Sequence, residues 1–407
     1  MEYVQKNLLK VLSGILWNQK PDYSYSEAEW IEILALAEDQ GVLFMLLQRC
    51  PCIRKQLTSS AWIKWRSKLV STIVNNDSLM ELQSNLLNLM TARGIHCVVL
   101  KGIANAAYYH EPGMRALGDI DLLVAPQNVH QAVELLLEEG FVASEESFSH
   151  PYHIDFYKEN AVLELHFAAS SYLDSDAGTV AKSIMESCWQ DIQNRQILSY
   201  SVPCLSDLHQ AVFLLLHMQR HMTTGCIGLR QLCDWAVFLK GVPTEKFCEL
   251  ILPVLESCGL AKFAAVLTLT AFRYLGLESK YVTWCQRVHE SILDAMICEV
   301  FREGSIHHKN KTEDSSSFFV ESSGSEPVLR VFIGKMNNLA RRKFPITRKL
   351  PWLQPVFWVY IPIRYWIRSL SGMRRRKSLL HTMKMTKQRK QLYRELRLFQ
   401  VEKNRMR

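Results

Sequence analysis

The chain has 407 residues, 48% hydrophobic and 22% charged, with 17 Gly and 13 Pro. That composition excludes a collagen-like, a disulfide-scaffold and a wholly disordered protein, and the length gives room for two or three domains. The formal charge of +8 is unevenly spread: residues 341–407 hold 20 Lys/Arg against Glu395 and Glu402, whereas residues 1–340 carry a balance of −10. An acidic body does not attract polyanions by itself, but the basic tail suits a phosphate-rich surface. The 11 cysteines are scattered, Cys50 and Cys52 being the close pair, and no CxxC occurs. They read as reduced, mostly buried thiols of a cytosolic protein. Met1 to Gln19 is amphipathic and no small-residue cleavage site follows it, which speaks against secretion.

Residues 1–93 follow a helical pattern. Leu8, Val11, Leu12 and Ile15 recur at i, i+3, i+4, i+7, and Ile31, Leu34, Ala35 and a following Gly41 mark a second helix and its stop. Trp62 to Ala92 reads as one long helix, ended by Arg93-Gly94. The period then changes. Ile95 to Leu100 predicts a short buried strand, Gly102 to Tyr109 a helix, and Asp119 to Val124 a second strand. Pro126 to Glu139 is an amphipathic helix stopped by Gly140. Phe141 to Phe148, Tyr152 to Tyr157 and Ala161 to Phe167 read as three more strands. The order β-α-β-α-β-β-β is an α/β sheet unit of about 75 residues. Helices follow at Asp207–Met222, Ile227–Leu239, Glu245–Ser257, Ala261–Tyr274 and Tyr281–Phe301. Residues 303–328 are a Ser-rich linker and 329–407 a basic, aromatic tail. The division is therefore 1–93 helical, 94–200 sheet core, 201–302 helical, then linker and tail.

The informative stretch is Leu100-Lys101-Gly102, followed by Arg115-Ala-Leu-Gly-Asp119-Ile-Asp121-Leu-Leu-Val124. Strand side chains alternate, so Asp119 and Asp121 share a face. Two adjacent carboxylates raise each other's pKa unless a cation lies between them. Leu122 to Val124 bury the rest of the strand, which leaves the acidic pair near a rim. Oxygen ligands there suit Mg²⁺, which keeps waters and binds one or two carboxylates plus substrate phosphates. Glu164 stands alone in the apolar strand Val162-Leu-Glu-Leu-His166. If the two strands are neighbours, three carboxylates converge, as a two-metal phosphoryl transfer needs. Lys101 and Arg115 are the nearby cations, and Gly102 lets backbone approach a phosphate. Each feature alone has a plainer reading: Asp-x-Asp as a solvated edge, a strand Glu as a solvent-face residue, Lys-Gly as uninformative. The specificity lies in their order.

Residues 95–167 resemble the nucleotidyltransferase superfamily built on the DNA polymerase beta-like fold. More closely, they are similar to an uncharacterised bacterial nucleotidyltransferase family with an LKG…R…DIDLLV motif, and the likeness extends weakly over residues 1–240. It rests on His-Cys-Val-Val-Leu-Lys-Gly, on Arg115 to Val124, on Leu-Glu-Leu-His-Phe and on Gly228-Leu-Arg-Gln-Leu-Cys-Asp-Trp235. The resemblance implies an α+β fold, a nucleotidyltransferase-like mixed sheet flanked by N- and C-terminal helical regions. It also implies Mg²⁺ or Mn²⁺ on Asp119, Asp121 and Glu164, nucleotide binding by Lys101, Gly102 and Arg115, and transfer of a nucleoside monophosphate from a triphosphate to a hydroxyl acceptor, in polysaccharide or natural-product biosynthesis. The superfamily usually has Gly-Ser where this chain has Lys101-Gly102, so the phosphate-binding hydroxyl is absent and Lys101 stands in its place. That departure keeps open a non-catalytic nucleotide sensor or membrane-recruited scaffold of the same fold.

His166 follows Glu164 on the same strand face, as an orienting residue or a histidine satisfied by backbone. His217 and His221 stand at i, i+4, a zinc spacing, but without the glutamate of HExxH; with His209 they suit helix packing, with one of the pair facing the cleft. Arg230 and Asp234, also at i, i+4, predict a helix ion pair, with an accessory role toward nucleotide or acceptor as the alternative. In the tail, Trp352 to Ile367 is aromatic but broken by Pro355, Pro362 and Arg364, too short to span a bilayer. Flanked by Arg341-Arg-Lys343 and Arg374-Arg-Arg-Lys377, it suits either an interfacial segment on an anionic membrane, making a cytoplasmic protein peripheral, or a helix docked on the body. Nucleic acid ranks behind these, because aromatic residues and densest charge lie in separate blocks.

Overall fold

A computed structural model describes residues 1–302 except 20–22, 145–146, 148–151, 170–175 and 225–226, and beyond them only scattered residues between 337 and 396. The chain divides into two compact units. The larger comprises Met1–Met222, Cys226–His308 and Gln400–Arg407 and carries the whole described sheet. The linker 303–328 lies outside the described residues, as does most of the tail. In the smaller unit, Trp358 donates its indole N–H to Asn337 at 2.7 Å. No helix among the described residues is long and apolar enough to cross a membrane.

Helices α1 (Tyr3–Leu16), α2 (Glu27–Asp39), α3 (Leu43–Arg49) and α4 (Cys52–Gln56) precede the long α5 (Ser59–Ala92). The α2 start is a capping box, with Ser26 accepting from the Glu29 amide and Glu29 reaching back to the Ser26 amide. Thr58 caps α5, and Gly94, at φ +69°, turns the chain out of it. The sheet begins with β1 (Cys97–Val99). One turn of helix, α6 (Ile103–Ala106), separates it from β2 (Ile120–Val124). Then come α7 (Val129–Glu138), β3 (Val142–Ala143), β4 (His153–Lys158), β5 (Ala161–His166), α8 (Asp176–Glu186), β6 (Gln193–Ile197) and β7 (Tyr200–Cys204). Seven strands lie in the order β3-β4-β5-β2-β1-β7-β6. The β2–β5 and β1–β7 pairs are parallel and the rest antiparallel, so this is a mixed α+β sheet.

One sheet face is apolar. Ile120, Leu122, Val124, Leu163, Leu165 and Phe156 pack there with Leu79, Leu86, Leu87 and Met90 of α5 and Ala132, Leu135 and Leu136 of α7. Each large side chain fully buried here contributes about 1.5–3 kcal/mol. This layer fixes the strand register, because a one-residue slip would turn every apolar side chain outward. The polar residues between them therefore point to the opposite face.

Helices α9 (Asp207–Thr224) and α10 (Leu229–Gly241) follow the sheet. After them come α11 (Thr244–Lys246), a π-helical turn at Phe247–Ile251, α12 (Leu252–Ser257), α13 (Ala261–Leu275) and α14 (Glu290–Phe301). Several expectations change. Among the described residues the strand expected over Phe141–Phe148 is only Val142–Ala143, and the helix expected over Gly102–Tyr109 only Ile103–Ala106. The helix expected from Tyr281 begins only at Glu290, after a 3₁₀ turn at Ser279–Val282. The sheet also gains β6 and β7 beyond the unit expected from sequence. None of the ten described cysteines is in a disulfide, and only Cys298 is exposed.

Candidate functional site

Parallel pairing of β2 with β5 sets Asp121 beside Glu164 and Leu123 beside His166. The condition on which the convergence of the three carboxylates depended is met. Oxygens of Asp119, Asp121 and Glu164 all lie within 4.8 Å of one another. Lys101, just beyond the end of β1, reaches into the group, with Nζ 2.6 Å from Asp121 Oδ1 and 3.7 Å from Glu164 Oε2. His166 Nε2 lies 3.2 Å from Asp121 Oδ1 and 3.1 Å from Glu164 Oε2. The Asp121 side chain is fully buried, and its Oδ2 has no hydrogen-bond partner among the described residues.

The electrostatics follow from burial and close pairing. Burial alone would lower the Lys101 ammonium, but Asp121, Glu164 and Asp119 outweigh it and hold it above its ordinary value. Glu164 is pushed up by burial yet held far below the usual carboxylate range by Lys101 and His166. Burial likewise works against the His166 imidazolium, and hydrogen bonds to Asp121 and Glu164 overcome it. Three carboxylates face one lysine and one histidine, with an orphaned carboxylate oxygen among them. That donor set fits a hard divalent cation.

The backbone around Lys101 explains the Lys-Gly pair. Gly102 adopts φ +60° and ψ −114°, a conformation that L side chains rarely take. It reverses the chain from β1 into α6 and leaves Lys101 facing the carboxylates. A Cβ there would meet the Asp119 carbonyl at an ordinary 3.6 Å, so the requirement is conformational rather than steric.

Side chains of α9 reach the polar face, where Arg220 stands over Tyr152 beside His166. His217 and His221 of α9 approach each other at 3.0 Å between Nε2 atoms. Burial holds His217 well below its ordinary pKa, aided by the charges of Lys101, His221 and His166. His209 is used differently: Nδ1 bonds Ser206 at 2.8 Å and Nε2 bonds Ser187 at 3.2 Å, which anchors α9. Arg220 stands 4.7 Å over the Tyr152 ring, which stacks on His166 at 6.2 Å.

Arg115 and Asp234 meet, although 119 residues apart. Arg115 donates Nε to Asp234 Oδ1 at 2.9 Å and Nη2 to Oδ2 at 2.8 Å, while Tyr109 and Asn105 donate to the same carboxylate. The expected Arg230–Asp234 helix pair does not form, because this fork and two further donors occupy the acid. Arg230 is left with a buried Nε that has no partner among the described residues, and Asp119 is among the charges acting on it. Of the residues read from sequence, the structure gathers Lys101, Asp119, Asp121, Glu164 and His166 into one cluster. It ties Arg115 to Asp234. Asp234→Asn should cost about 3–5 kcal/mol, because Arg115 is left as an uncompensated buried charge. The denaturation midpoint should fall with little change in slope.

Sequence reasoning missed His153, Asp155 and Arg220. His153 and Asp155 sit on β4 opposite His166 and Glu164. Part of their signal was available: His153-Ile-Asp155-Phe alternates polar and apolar as Asp119-Ile-Asp121-Leu does.

A family model described as an uncharacterised nucleotidyltransferase matches residues 26–276, more than half of the chain. The protein belongs to this nucleotidyltransferase family. No curated protein matches it significantly.

Proposed function

We propose that the protein is a divalent-metal-dependent nucleotidyltransferase that moves a nucleoside monophosphate from a triphosphate to a hydroxyl acceptor. The segment 94–200 would act as catalytic core, with 201–302 covering it. The observation that carries the reading is the convergence of Asp119, Asp121 and Glu164 within 4.8 Å around an orphaned carboxylate oxygen, in a chain of a nucleotidyltransferase family. The acceptor hydroxyl attacks the α-phosphorus in line, and pyrophosphate leaves with the electrons of the broken P–O bond. Asp119, Asp121 and Glu164 would hold Mg²⁺ or Mn²⁺, which when bound polarises phosphoryl oxygens and eases deprotonation of the hydroxyl. His166 orients Asp121 and Glu164 through Nε2. Lys101 and Arg230 supply positive charge for the triphosphate, and α9 excludes water from the face. The acceptor belongs to a sugar, a peptide product or a protein side chain, in a biosynthetic setting. Incubation with each labelled triphosphate and Mg²⁺ tests the proposal: release of pyrophosphate supports it, and binding without release from any triphosphate refutes it.

One observation favours a second reading. The Lys101 ammonium lies 2.6 Å from Asp121, where a cation would be. A lysine that permanently neutralises the acids makes a nucleotide sensor rather than an enzyme. Metal-dependent stabilisation of the protein by nucleotide, without turnover, is its signature.

The tail 341–407 would bring a cytoplasmic protein to anionic membrane. Each basic residue near such a surface contributes about 1 kcal/mol, falling away within a Debye length of about 8 Å at physiological salt. The aromatic run adds a part that salt does not remove. Binding to phosphatidylserine vesicles should therefore weaken but persist at high salt, and deletion of 341–407 should abolish it. A full-length protein that ignores such vesicles at low salt overturns the reading.

A further inference from the structure

Beside the acidic trio lies a second group of donors, which shares Glu164 with the trio and adds His153 and Asp155, two residues with no part in nucleotidyl transfer. Strands β4 and β5 are antiparallel, and their register sets His153 opposite His166 and Asp155 opposite Glu164. Side-chain alternation puts all four on the sheet face that carries Asp121. His153, Glu164 and His166 each bring a ligand atom within 4.8 Å of the other two. The imidazole centroids are 5.1 Å apart, and both rings are buried. His166 Nε2 lies 3.1 Å from Glu164 Oε2, and His153 Nε2 lies 3.1 Å from Asp155 Oδ1. Tyr152 stacks on His166 and also meets the His153 ring edge-on, so both imidazoles are held in place by packing.

We propose that His153, His166 and Glu164 form a site for a zinc-type divalent transition metal, adjoining the hard-cation position of Asp119 and Asp121 and sharing Glu164 with it. Two imidazoles and one carboxylate are a donor set that Zn²⁺ accepts with a position left open. Imidazole nitrogen selects such metals, whereas Mg²⁺ takes oxygen and surrenders its waters reluctantly. The ion would lie between His166 Nε2 and Glu164 Oε2, whose spacing of 3.1 Å suits two ligands of one metal. The Asp155 carboxylate on His153 is the pairing that fixes the ring of a metal-bound histidine. Glu164 belongs to both groups, so the site touches the acidic trio through one side chain. Occupancy requires no nucleotide, and the proposal does not depend on catalysis.

The test uses the full-length protein, stripped with a chelator and titrated with Co²⁺ alone as a visible-absorbing probe, then with Zn²⁺ as displacer. Co²⁺ should bind, yield to Zn²⁺ and resist a large excess of Mg²⁺. His153→Ala should weaken binding at least ~10-fold, and Asp155→Asn roughly 10–100-fold. Asp119→Asn should leave it unchanged. The proposal is overturned if His153→Ala binds as wild type does, if Asp119→Asn abolishes binding, or if Mg²⁺ displaces Co²⁺ at equal concentration. Should His153→Ala not fold, X-ray absorption of the wild-type Co²⁺ protein decides: two imidazole ligands support the site, and an all-oxygen shell removes it. Pyrophosphate release is read separately, so a protein that holds Co²⁺ on His153 but turns over no triphosphate keeps this site and loses the transferase reading.

Discussion

Asp119→Asn and Asp121→Asn should each lower metal-dependent pyrophosphate release by about 10³-fold, since several kcal/mol of charge stabilisation at the phosphoryl oxygens is lost. The two variants should differ in stability. Asp121 is fully buried and neutralises Lys101 at 2.6 Å, so its loss leaves a buried ammonium with Glu164 at 3.7 Å as its nearest counter-charge. Asp119 appears in no ion pair among the described residues and is less buried, so Asp119→Asn should fold and melt close to wild type. It is the cleaner probe of chemistry. Activity within a few-fold of wild type in Asp119→Asn, with normal metal affinity, would remove the acidic trio from the active centre.

Much of this site was legible because one period governs both halves of the argument. Alternation in Asp119-Ile-Asp121-Leu put two acids on one face, and the apolar partners between them fixed the register. The Glu164 strand followed from the same rule, and the parallel β2–β5 pairing completed it. What was not legible had physical causes. β6 reads Gln-Asn-Arg-Gln-Ile, a polar edge strand without an apolar face, and β7 contains Pro203. β6 lacks the signal that marks a buried strand, and in β7 Pro203 obscures the alternation of Tyr200, Val202 and Cys204 that packs it on the core. The Arg115–Asp234 pair depends on α10 returning to the loop after α6, which no local pattern encodes. Arg230 and Asp234 share a helix face, but a fork from a distant arginine outcompetes a single i, i+4 contact. Alternation in β4 puts His153 and Asp155 on one face but does not mark a site, because only the antiparallel β4–β5 pairing sets them opposite His166 and Glu164.

Lys101→Met separates a working transferase from a sensor that kept the fold. In wild type the ammonium sits among Asp121, Glu164 and Asp119 with its side chain 14% exposed. Removing it leaves Asp121 with His166 as its remaining charged partner and should destabilise the metal-free protein by about 3 kcal/mol, the low end for breaking a buried pair. A divalent ion should then restore most of that loss. At one hundred times its dissociation constant a ligand adds about 2.7 kcal/mol, so Mn²⁺ should raise the melting temperature more in Lys101→Met than in wild type. Turnover distinguishes the readings. If Lys101 serves the triphosphate, the variant binds metal well yet shows a raised KM for nucleotide and little pyrophosphate release. If Lys101 is a permanent substitute for the cation, wild type gains no stability from Mn²⁺ and releases no pyrophosphate, while the variant gains stability. The transferase reading requires that wild type itself be stabilised by Mn²⁺, because its Asp121 keeps a buried Oδ2 without a hydrogen-bond partner among the described residues, and a carboxylate oxygen so placed is stabilised by a cation.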